Sequence, residues 1–305
     1  MSSLPEGVLR DHPLARLTTV RTGGSAELFA RVGTLEQLQR LLGWAARRGH
    51  QVGVVGSGSN LLVADSGVRG LVLKLDEELG KIEITGRRVH CGGGARLPAI
   101  AARAAQAGLA GIEFGVSIPG TVGGAVRMNA NAYGGDLARV LEWVEVATPA
   151  GIERRAPAQL GFSYRRSTIR PGEVVAHAAF ALQPDDRATV AARLADLRAR
   201  RKETQPSGIR TFGSTFKNPE DPRAEGRTAG QLLEAAGCRG LRIGGAGFSA
   251  KHANFIENPG RATTADVVAV MAEGRKRVRE RFGVVLEPEV QALGPVEFPP
   301  DWERS

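Results

Sequence analysis

The chain has 305 residues, enough for two or three domains, and its 42% hydrophobic and 24% charged residues are typical of a globular protein. The formal charge of +9 favours anionic ligands, whereas an aromatic content of only 5% argues against a protein that stacks single-stranded bases. The sequence contains no apolar run of about 18 residues, so no membrane span is predicted. Its two isolated cysteines predict a reduced cytoplasmic protein with no metal.

In chain order, leucines at helical spacing predict a first helix from Thr34 to His50, with Thr34 and Gln37 forming its capping box. Residues 51–63 read as a strand, a glycine turn and a second strand. Further strands are predicted at 71–75 and within 81–94, and an alanine-rich helix at 97–110.

The second half of the chain first alternates as strands and then becomes helical. Strands are predicted at 143–148, 151–155 and 174–182. A basic helix follows at 187–202, and its charge is typical of a solvated helix face or of a field that attracts polyanions. Two more helices, at 228–236 and 264–282, and a final strand in "VVLEPEVQAL" complete the pattern.

Two glycine-rich loops interrupt these elements, "GSGSN" at 56–60 and "IPGTVGG" at 118–124. Neither matches the dinucleotide fingerprint or the P-loop, so each alone is consistent with a tight turn. Consecutive small residues also expose backbone N–H groups that suit phosphate oxygens, and two such loops could clasp a diphosphate. The candidate cofactor-binding residues are Gly56, Ser57, Gly58, Ser59, Asn60, Pro119, Gly120, Thr121, Gly123 and Gly124.

Seven ordered motifs carry a family resemblance over roughly residues 18–292: "RTGGSAELF", "VGSGSNLLVAD", "GIEFGVSIPGTVGGAVRMNANAYGGD", "FSYRRS", "FGSTFKNP", "AGCRGLRIGGAGFSAKHANFIEN" and "RFGVVLEPEV". Together they resemble the UDP-N-acetylenolpyruvoylglucosamine reductase (MurB) family, in its shorter subclass. The resemblance implies an α+β protein with an FAD-binding fold of the vanillyl-alcohol-oxidase (PCMH) type. Its expected parts are FAD-binding subdomain 1 (1–66, with the tail 293–305), FAD-binding subdomain 2 (67–203) and a C-terminal α+β substrate-binding domain (204–292).

The reaction implied by the resemblance is an oxidoreductase step of peptidoglycan precursor synthesis. NADPH serves as hydride donor, and hydride reaches C3 of the enolpyruvyl group of a UDP-sugar through non-covalently bound FAD. A proton is added at C2. The expected partners are therefore these small molecules, with no nucleic acid and no membrane, and the protein is expected to act as a monomer in the cytoplasm.

The resemblance assigns three catalytic residues, Arg165, Ser214 and Glu289. An arginine at position 165 can hold a carboxylate and stabilise an enolate, and on a strand the adjacent Arg166 would face the other way. Ser214 matches the proton donor to C2, although a hydroxyl needs a partner that replenishes its proton. Glu289 is assigned by the motif over Glu287, which would share its face on a regular strand.

Substrate-binding roles are predicted for Tyr164, Lys217, Asn218 and His252. Lys217 or a water is the candidate that replenishes the proton of Ser214. His252 has an equally good alternative interpretation as a hydrogen-bonded structural histidine.

The sequence departs from the family pattern at two positions. Asn131 stands where glycine is usual, which would suit a positive φ, and Ile169 replaces a common aromatic residue behind Arg165. Two rival functions remain open: an oxygen-using flavoenzyme of the same fold, although neither glycine loop contains a histidine to tether FAD, and a basic nucleic-acid-binding protein. The latter gives no role to Arg165, Ser214 and Glu289.

Overall fold

The computed structural model describes residues 4–300 and 302, whose contacts divide them into two compact units. Unit 1 contains the described residues up to His12 together with Glu27–Ser57 and Arg69–Arg201, and unit 2 contains Pro13–Ala26, Gly58–Val68 and the described residues from Lys202 onward. Residues 13–26 and 58–66, predicted in the first subdomain, thus cluster with the C-terminal part. The three-part division stays a prediction, and its positions 1–3, 301 and 303–305 lie outside the described residues.

The strands are short, as expected for a chain so often interrupted by glycine. In chain order they are β1 Val8–Pro13, β2 Ser25–Val32, β3 Val52–Val54, β4 Leu61–Val63, β5 Val68–Leu75, β6 Ile82–Thr85, β7 Arg88–Gly92, β8 Leu109–Ala110, β9 Asn131–Ala132, β10 Gly135–Asp136, β11 Leu141–Thr148, β12 Gly151–Arg155, β13 Val174–Ala181, β14 Gln183–Pro184, β15 Arg210–Thr211, β16 Arg242–Ile243, β17 Ala246–Phe248, β18 Ile256–Asn258 and β19 Gln291–Leu293.

The α-helices range from a single turn to five turns. They are α1 Leu35–Arg47, α2 Leu97–Gln106, α3 Val122–Arg127, α4 Leu137–Val140, α5 Arg187–Thr204, α6 Ala229–Ala235 and α7 Thr264–Phe282.

Helix α1 of unit 1 forms as its sequence predicts. Thr34 Oγ1 accepts a hydrogen bond from the Gln37 N–H (3.1 Å), which satisfies a donor that the first turn leaves unpaired. Leu38, Leu41 and Leu42 are fully buried on one face of the helix. They pack in a core with the four-stranded sheet of order β1-β2-β5-β3, in which β3 and β5 run parallel.

A second core of unit 1 lies against the five-stranded antiparallel sheet of order β12-β11-β13-β7-β6. Helices α2 and α3 contribute apolar residues to this core, and Ile169 is buried in it at 7% exposure. Ile169 therefore fills its position with a branched aliphatic side chain in place of the usual aromatic ring. Helix α5 buries little beyond Val190 and Leu194, so its basic residues lie on a largely solvated helix, the simpler of the two interpretations.

Unit 2 is built on the sheet of order β15-β18-β17-β16 and on helix α7. Helix α7 has the predicted bounds because Thr263 caps its start and Gly283, at φ +68°, ends it. The predicted final strand is wrong over most of its length, since only β19 is regular and it pairs parallel with β4. The terminal segment packs in the same core, where the ring of Trp302 lies 5.3 Å from that of Phe298.

Candidate functional site

The start of the first glycine loop and the second loop lie against each other in unit 1. Ser57 Oγ donates a hydrogen bond to the Pro119 carbonyl (2.6 Å). A Cβ added to Gly56 would collide with Thr121 Oγ1, so only glycine allows this close approach. Beneath the loop, Lys74 Nζ donates to the Gly56 carbonyl (2.6 Å). The start of the first loop and the second loop, some 60 residues apart in the chain, are thus in direct contact.

Glycine suits the positions in these loops for two different physical reasons. Gly58 has a φ of +65°, and a Cβ there would also collide with the Leu17 carbonyl, so the protein's own packing requires glycine. Gly123 is less constrained, since a Cβ there would fall 3.2 Å from a backbone carbonyl, a tight contact that does not require glycine. At Gly120 and Gly124, apart from adjoining residues, the nearest protein atom would be 3.7 Å from a Cβ. Bare backbone at these two positions fits a cofactor that approaches closely, as a diphosphate does.

Lys74 is a residue at this site that the sequence analysis missed. Burial lowers the pKa of its ammonium, and the nearby guanidinium of Arg31 and then that of Arg96 add to the effect, while Asp76 opposes it. The signal was present in "LVLKL", where a lysine interrupts an otherwise apolar strand. A cation held under a phosphate-type loop adds positive charge where an anionic ligand would bind.

The other end of the first glycine loop belongs to unit 2 and bonds to both of the predicted catalytic segments there. The Gly213 N–H donates to the Ser59 carbonyl (2.8 Å), and Asn60 Nδ2 donates to the Glu289 carbonyl (3.1 Å). The second bond fixes the amide's orientation. Asn60 Oδ1 is then buried and has no hydrogen-bond partner among the described residues. Such an acceptor fits an N–H or O–H group of a bound ligand, such as a flavin ring or a ribityl chain, and not a phosphate oxygen.

The segments that carry Ser214 and Glu289 are paired by their backbones. The Glu289 N–H donates to the Thr215 carbonyl (2.8 Å), and the Lys217 N–H donates to the Glu287 carbonyl (2.9 Å). Ser214 is half-buried and directly precedes this pairing, and Glu289 is 9% exposed. The sequence order, with more than 70 residues between the two, gave no geometric reason to expect this pairing.

Lys217 and Glu287 form an ion pair with 3.1 Å between Nζ and Oε2. The Glu287 side chain is 60% exposed, whereas Glu289 is buried, so the two glutamates flanking Pro288 occupy different environments. The regular strand on which both would have shared one face is absent at these positions. Lys217, the candidate that would replenish the proton of Ser214, is therefore paired with a carboxylate at the surface.

Asn218 and His252 both have contacts within unit 2. Asn218 Oδ1 accepts from the Ala229 N–H at the start of α6 (3.1 Å). His252 Nδ1 accepts from the Asn254 N–H (3.2 Å), and its ring lies 4.8 Å from that of Phe255. Burial lowers the pKa of His252, which favours a neutral imidazole at pH 7. These contacts match the structural interpretation of His252, and the predicted substrate roles of both residues stay predictions.

Arg165 does not lie on a strand, which was the condition under which Arg166 would face the opposite side. Ser163 and Arg166 exchange two backbone hydrogen bonds of 3.2 Å, which close a tight turn with Tyr164 and Arg165 at its tip. Arg165 has a φ of +57°, in the left-handed region. The condition for strand alternation is therefore not met at Arg166, because alternation requires extended backbone.

The guanidinium of Arg165 is oriented by two neighbours. Nη1 donates to Asn131 Oδ1 (2.9 Å), and the guanidinium carbon lies 5.1 Å from the centre of the Tyr164 ring. Asn131 belongs to strand β9 and is absent from the positive-φ residues, so its conformation does not require glycine or asparagine. The departure at position 131 thus supplies a side-chain acceptor to the predicted catalytic arginine.

Three further observations concern the part of the chain that the structure describes. No group of three or more His, Cys, Asp or Glu residues is arranged there to hold a metal ion. Within the same residues no helix combines the length and apolar character needed to cross a membrane. Cys91 and Cys238 are free and buried.

Comparison with known proteins gives consistent matches. Residues 205–293 match the model of the UDP-N-acetylenolpyruvoylglucosamine reductase C-terminal domain, and residues 26–156 that of an FAD binding domain. UDP-N-acetylenolpyruvoylglucosamine reductase 2 of Symbiobacterium thermophilum is 44% identical over 292 residues, 95% of this chain and 93% of that protein. The reductase of Anaeromyxobacter dehalogenans is 45% identical over 293 residues, 96% and 87% of the two chains.

Two solved structures extend the comparison to the fold. MurB from Thermus caldophilus aligns with a TM-score of 0.80 at 36% identity, covering 94% of this chain and 98% of that one. The 6-hydroxy-D-nicotine oxidase of Arthrobacter nicotinovorans, at 12% identity, aligns with a TM-score of 0.56 over 93% of this chain and 87% of its own, and shares the fold alone. The predicted α+β fold with its FAD-binding part, and FAD as the cofactor, are confirmed by these matches.

Proposed function

The chain belongs to the UDP-N-acetylenolpyruvoylglucosamine reductase family, and from this premise we propose that it reduces UDP-N-acetylglucosamine enolpyruvate to UDP-N-acetylmuramate with NADPH, in the cytoplasm. FAD, when bound, supplies the chemistry of hydride transfer from NADPH to C3 of the enolpyruvyl group. The remaining steps are the work of this chain's own side chains, which bind the carboxylate, stabilise the charge that develops and deliver a proton to C2.

The observation that carries the proposal is the pairing of the segments around Ser214 and Glu289. The bond from the Glu289 N–H to the Thr215 carbonyl (2.8 Å) brings the backbone of Glu289, a buried residue, beside the segment that begins with Ser214. A hydroxyl and a buried carboxylate held on one rigid backbone pair are the parts that proton delivery to carbon needs. A nucleic-acid-binding protein, which contacts phosphates mainly through basic side chains and neutral hydrogen-bond donors, gives no role to this arrangement.

Arg165 acts on the substrate carboxylate in this proposal. When hydride adds at C3, negative charge spreads from C2 into the carboxylate, and a guanidinium fixed in advance stabilises that charge without reorganising. Arginine suits this role because its planar fork makes two parallel hydrogen bonds to a carboxylate. The contacts with Asn131 and Tyr164 support the role, because they restrict the orientation of a long side chain.

Ser214 then donates its proton to C2, which completes the lactyl ether. The atoms balance because the double bond gains one hydride and one proton, and the serine is left deprotonated until a water restores its proton. Lys217 is less suited to that restoration, since its ammonium is paired with Glu287. Glu289 has the role of stabilising the protonated form of the developing enolate.

For the cofactor and the sugar nucleotide, the proposal assigns two sets of residues. The bare backbone at Gly120 and Gly124, with Ser57 and the cation of Lys74 nearby, fits the diphosphate of FAD. The unpartnered oxygen of Asn60 fits a donor group of the same cofactor. The substrate set comprises Tyr164, Lys217, Asn218 and His252.

The test is an anaerobic visible spectrum of the purified holoprotein. We expect the flavin absorption to bleach on addition of NADPH and to return when UDP-N-acetylglucosamine enolpyruvate is added. A band that bleaches with NADPH but returns only with oxygen would assign the protein to the oxidases. A colourless protein that does not take up FAD would contradict the cofactor and the reaction together.

A further inference from the structure

The turn that carries Arg165 is hydrogen-bonded to the neighbouring segment 127–129 of unit 1. Asn129 Nδ2 donates to the Ser163 carbonyl (3.1 Å), at the base of the turn. On its other side, Ser167 Oγ donates to the Arg127 carbonyl (2.8 Å). Both bonds join side chains to backbone carbonyls, so they fix where the turn lies. They do not fix where the Arg165 side chain points.

Asn131, two residues beyond Asn129, reaches the guanidinium itself. Its Oδ1 accepts from Arg165 Nη1 (2.9 Å), and an oxygen must face this position because a guanidinium offers only donors. The backbone of Asn131 is held by strand pairing with Asp136, whose carboxylate caps α4 through the Ala138 N–H (2.8 Å). The acceptor therefore stands on a fixed strand and not on a free loop.

We propose that Asn131 is a positioning residue, which sets the orientation of the Arg165 guanidinium toward the carboxylate of the enolpyruvyl substrate. This inference rests on the proposed function. An arginine side chain has many rotamers, and one hydrogen bond at its far end selects among them. The amide of Asn131 does so without adding a negative charge of its own beside the guanidinium. A carboxylate at the same position would neutralise it and compete with the substrate carboxylate.

The first test compares Asn131→Ala with Gln183→Ala, which removes an exposed amide of unit 1 elsewhere. For Asn131→Ala we expect kcat/KM for UDP-N-acetylglucosamine enolpyruvate to fall roughly 10-fold to 100-fold, the range of one hydrogen bond to a charged group. The rate of flavin bleaching by NADPH and the melting temperature should match the Gln183→Ala control. Asn131→Asp should lose more activity than Asn131→Ala, mainly through a higher KM, because its carboxylate pairs with Arg165.

The second test is a double-mutant cycle with Arg165→Ala. If Asn131 acts through Arg165, Asn131→Ala causes no further loss of kcat/KM in the Arg165→Ala background. An equal loss in both backgrounds, or a loss accompanied by slower flavin bleaching and a lower melting temperature, would show a structural role and overturn the proposal. Full activity of Asn131→Ala beside an impaired Arg165→Ala would overturn the positioning role alone. Full activity of Arg165→Ala would remove the catalytic assignment on which the inference rests.

Discussion

Replacing Glu173 by glutamine is expected to destabilise unit 1, because this carboxylate binds Arg155 and the backbone at the end of the segment that carries Arg165. Glu173 precedes β13, and its two oxygens accept from Arg155 at the end of β12, with distances of 2.8 Å and 3.0 Å. The Arg170 N–H also donates to it (2.8 Å). Both side chains of the pair are only 13% exposed. Glutamine keeps the shape of the side chain, but it loses the charge and one acceptor.

The magnitude follows from this burial. Removing one partner of a fully buried pair costs about 3–5 kcal/mol and an exposed pair contributes about 0–1 kcal/mol, so for this partly buried pair we expect a loss of about 2–3 kcal/mol. At roughly 2–4 °C per kcal/mol for a unit of this size, the melting temperature should fall by about 4–12 °C. Glu153→Gln is the matched control, since Glu153 contacts the same Arg155 at 2.7 Å but is 57% exposed. An exposed pair contributes about 0–1 kcal/mol, so that variant should be close to the unchanged protein.

The same ion pair also predicts how the stability difference between the two proteins changes with pH. The hydrogen bonds from Arg155 hold the pKa of Glu173 below its ordinary value of 4.5. A carboxyl whose folded pKa is lowered stabilises the fold above its unfolded pKa, and this contribution is lost as the pH falls through the folded pKa. Urea unfolding at pH 7 and at steps down to about pH 3 should therefore show the gap between Glu173→Gln and the unchanged protein closing in acid. Equal stabilities of Glu173→Gln and Glu153→Gln at pH 7, or a gap that does not change with pH, would refute the reasoning.

Three further outcomes follow from the site. Gly58→Ala should destabilise the apoprotein in urea unfolding by more than about 1 kcal/mol, because the position has a positive φ and a Cβ would collide with Leu17. Gly120→Ala should keep its stability and instead release FAD more readily in equilibrium dialysis. Ser214→Ala should retain flavin bleaching by NADPH but lose turnover by roughly 100-fold or more in stopped-flow measurements, and equal loss of both half-reactions would contradict its role as proton donor. Arg165→Lys should lower kcat/KM by about 100-fold in steady-state assays, because a point charge does not replace the planar fork, and near-normal kinetics would remove Arg165 from the site.

The sequence predicts best where the determining contacts are local. Helices α1 and α7 follow from apolar spacing and from caps within three residues of their ends, and both lie close to the predicted bounds. The strand expected over "VVLEPEVQAL" fails because its partners come from two distant segments. Residues 287–289 bond with 215–217 and only β19 pairs with β4, so the chain changes partner at the middle of the stretch. Apolar alternation contains no information about which distant segment a strand will meet.

Lys74 and Asn60 show the same limit at the candidate site. Both residues lie in stretches whose sequence is easily read. What the sequence does not give is how distant strands come together, and this determines both the burial of the ammonium under the Gly56 carbonyl and the unpartnered amide oxygen beside Glu289. Motif resemblance found Asn60, because the residue type matches. It gave no role to Lys74, whose importance lies in its burial and not in its motif.

The backbone conformation of Arg165 does not follow from its local sequence. The stretch "FSYRRS" has no glycine or proline, yet Arg165 near its centre has a left-handed backbone. That conformation costs of order 1 kcal/mol or more and persists only where the surroundings fix it. Here the surroundings are side chains some 35 residues earlier, Asn129 at the base of the turn and Asn131 at the guanidinium. We therefore expect a substitution in that earlier segment to act on Arg165, the proposed catalytic arginine, and the sequence around Arg165 alone gives no sign of it.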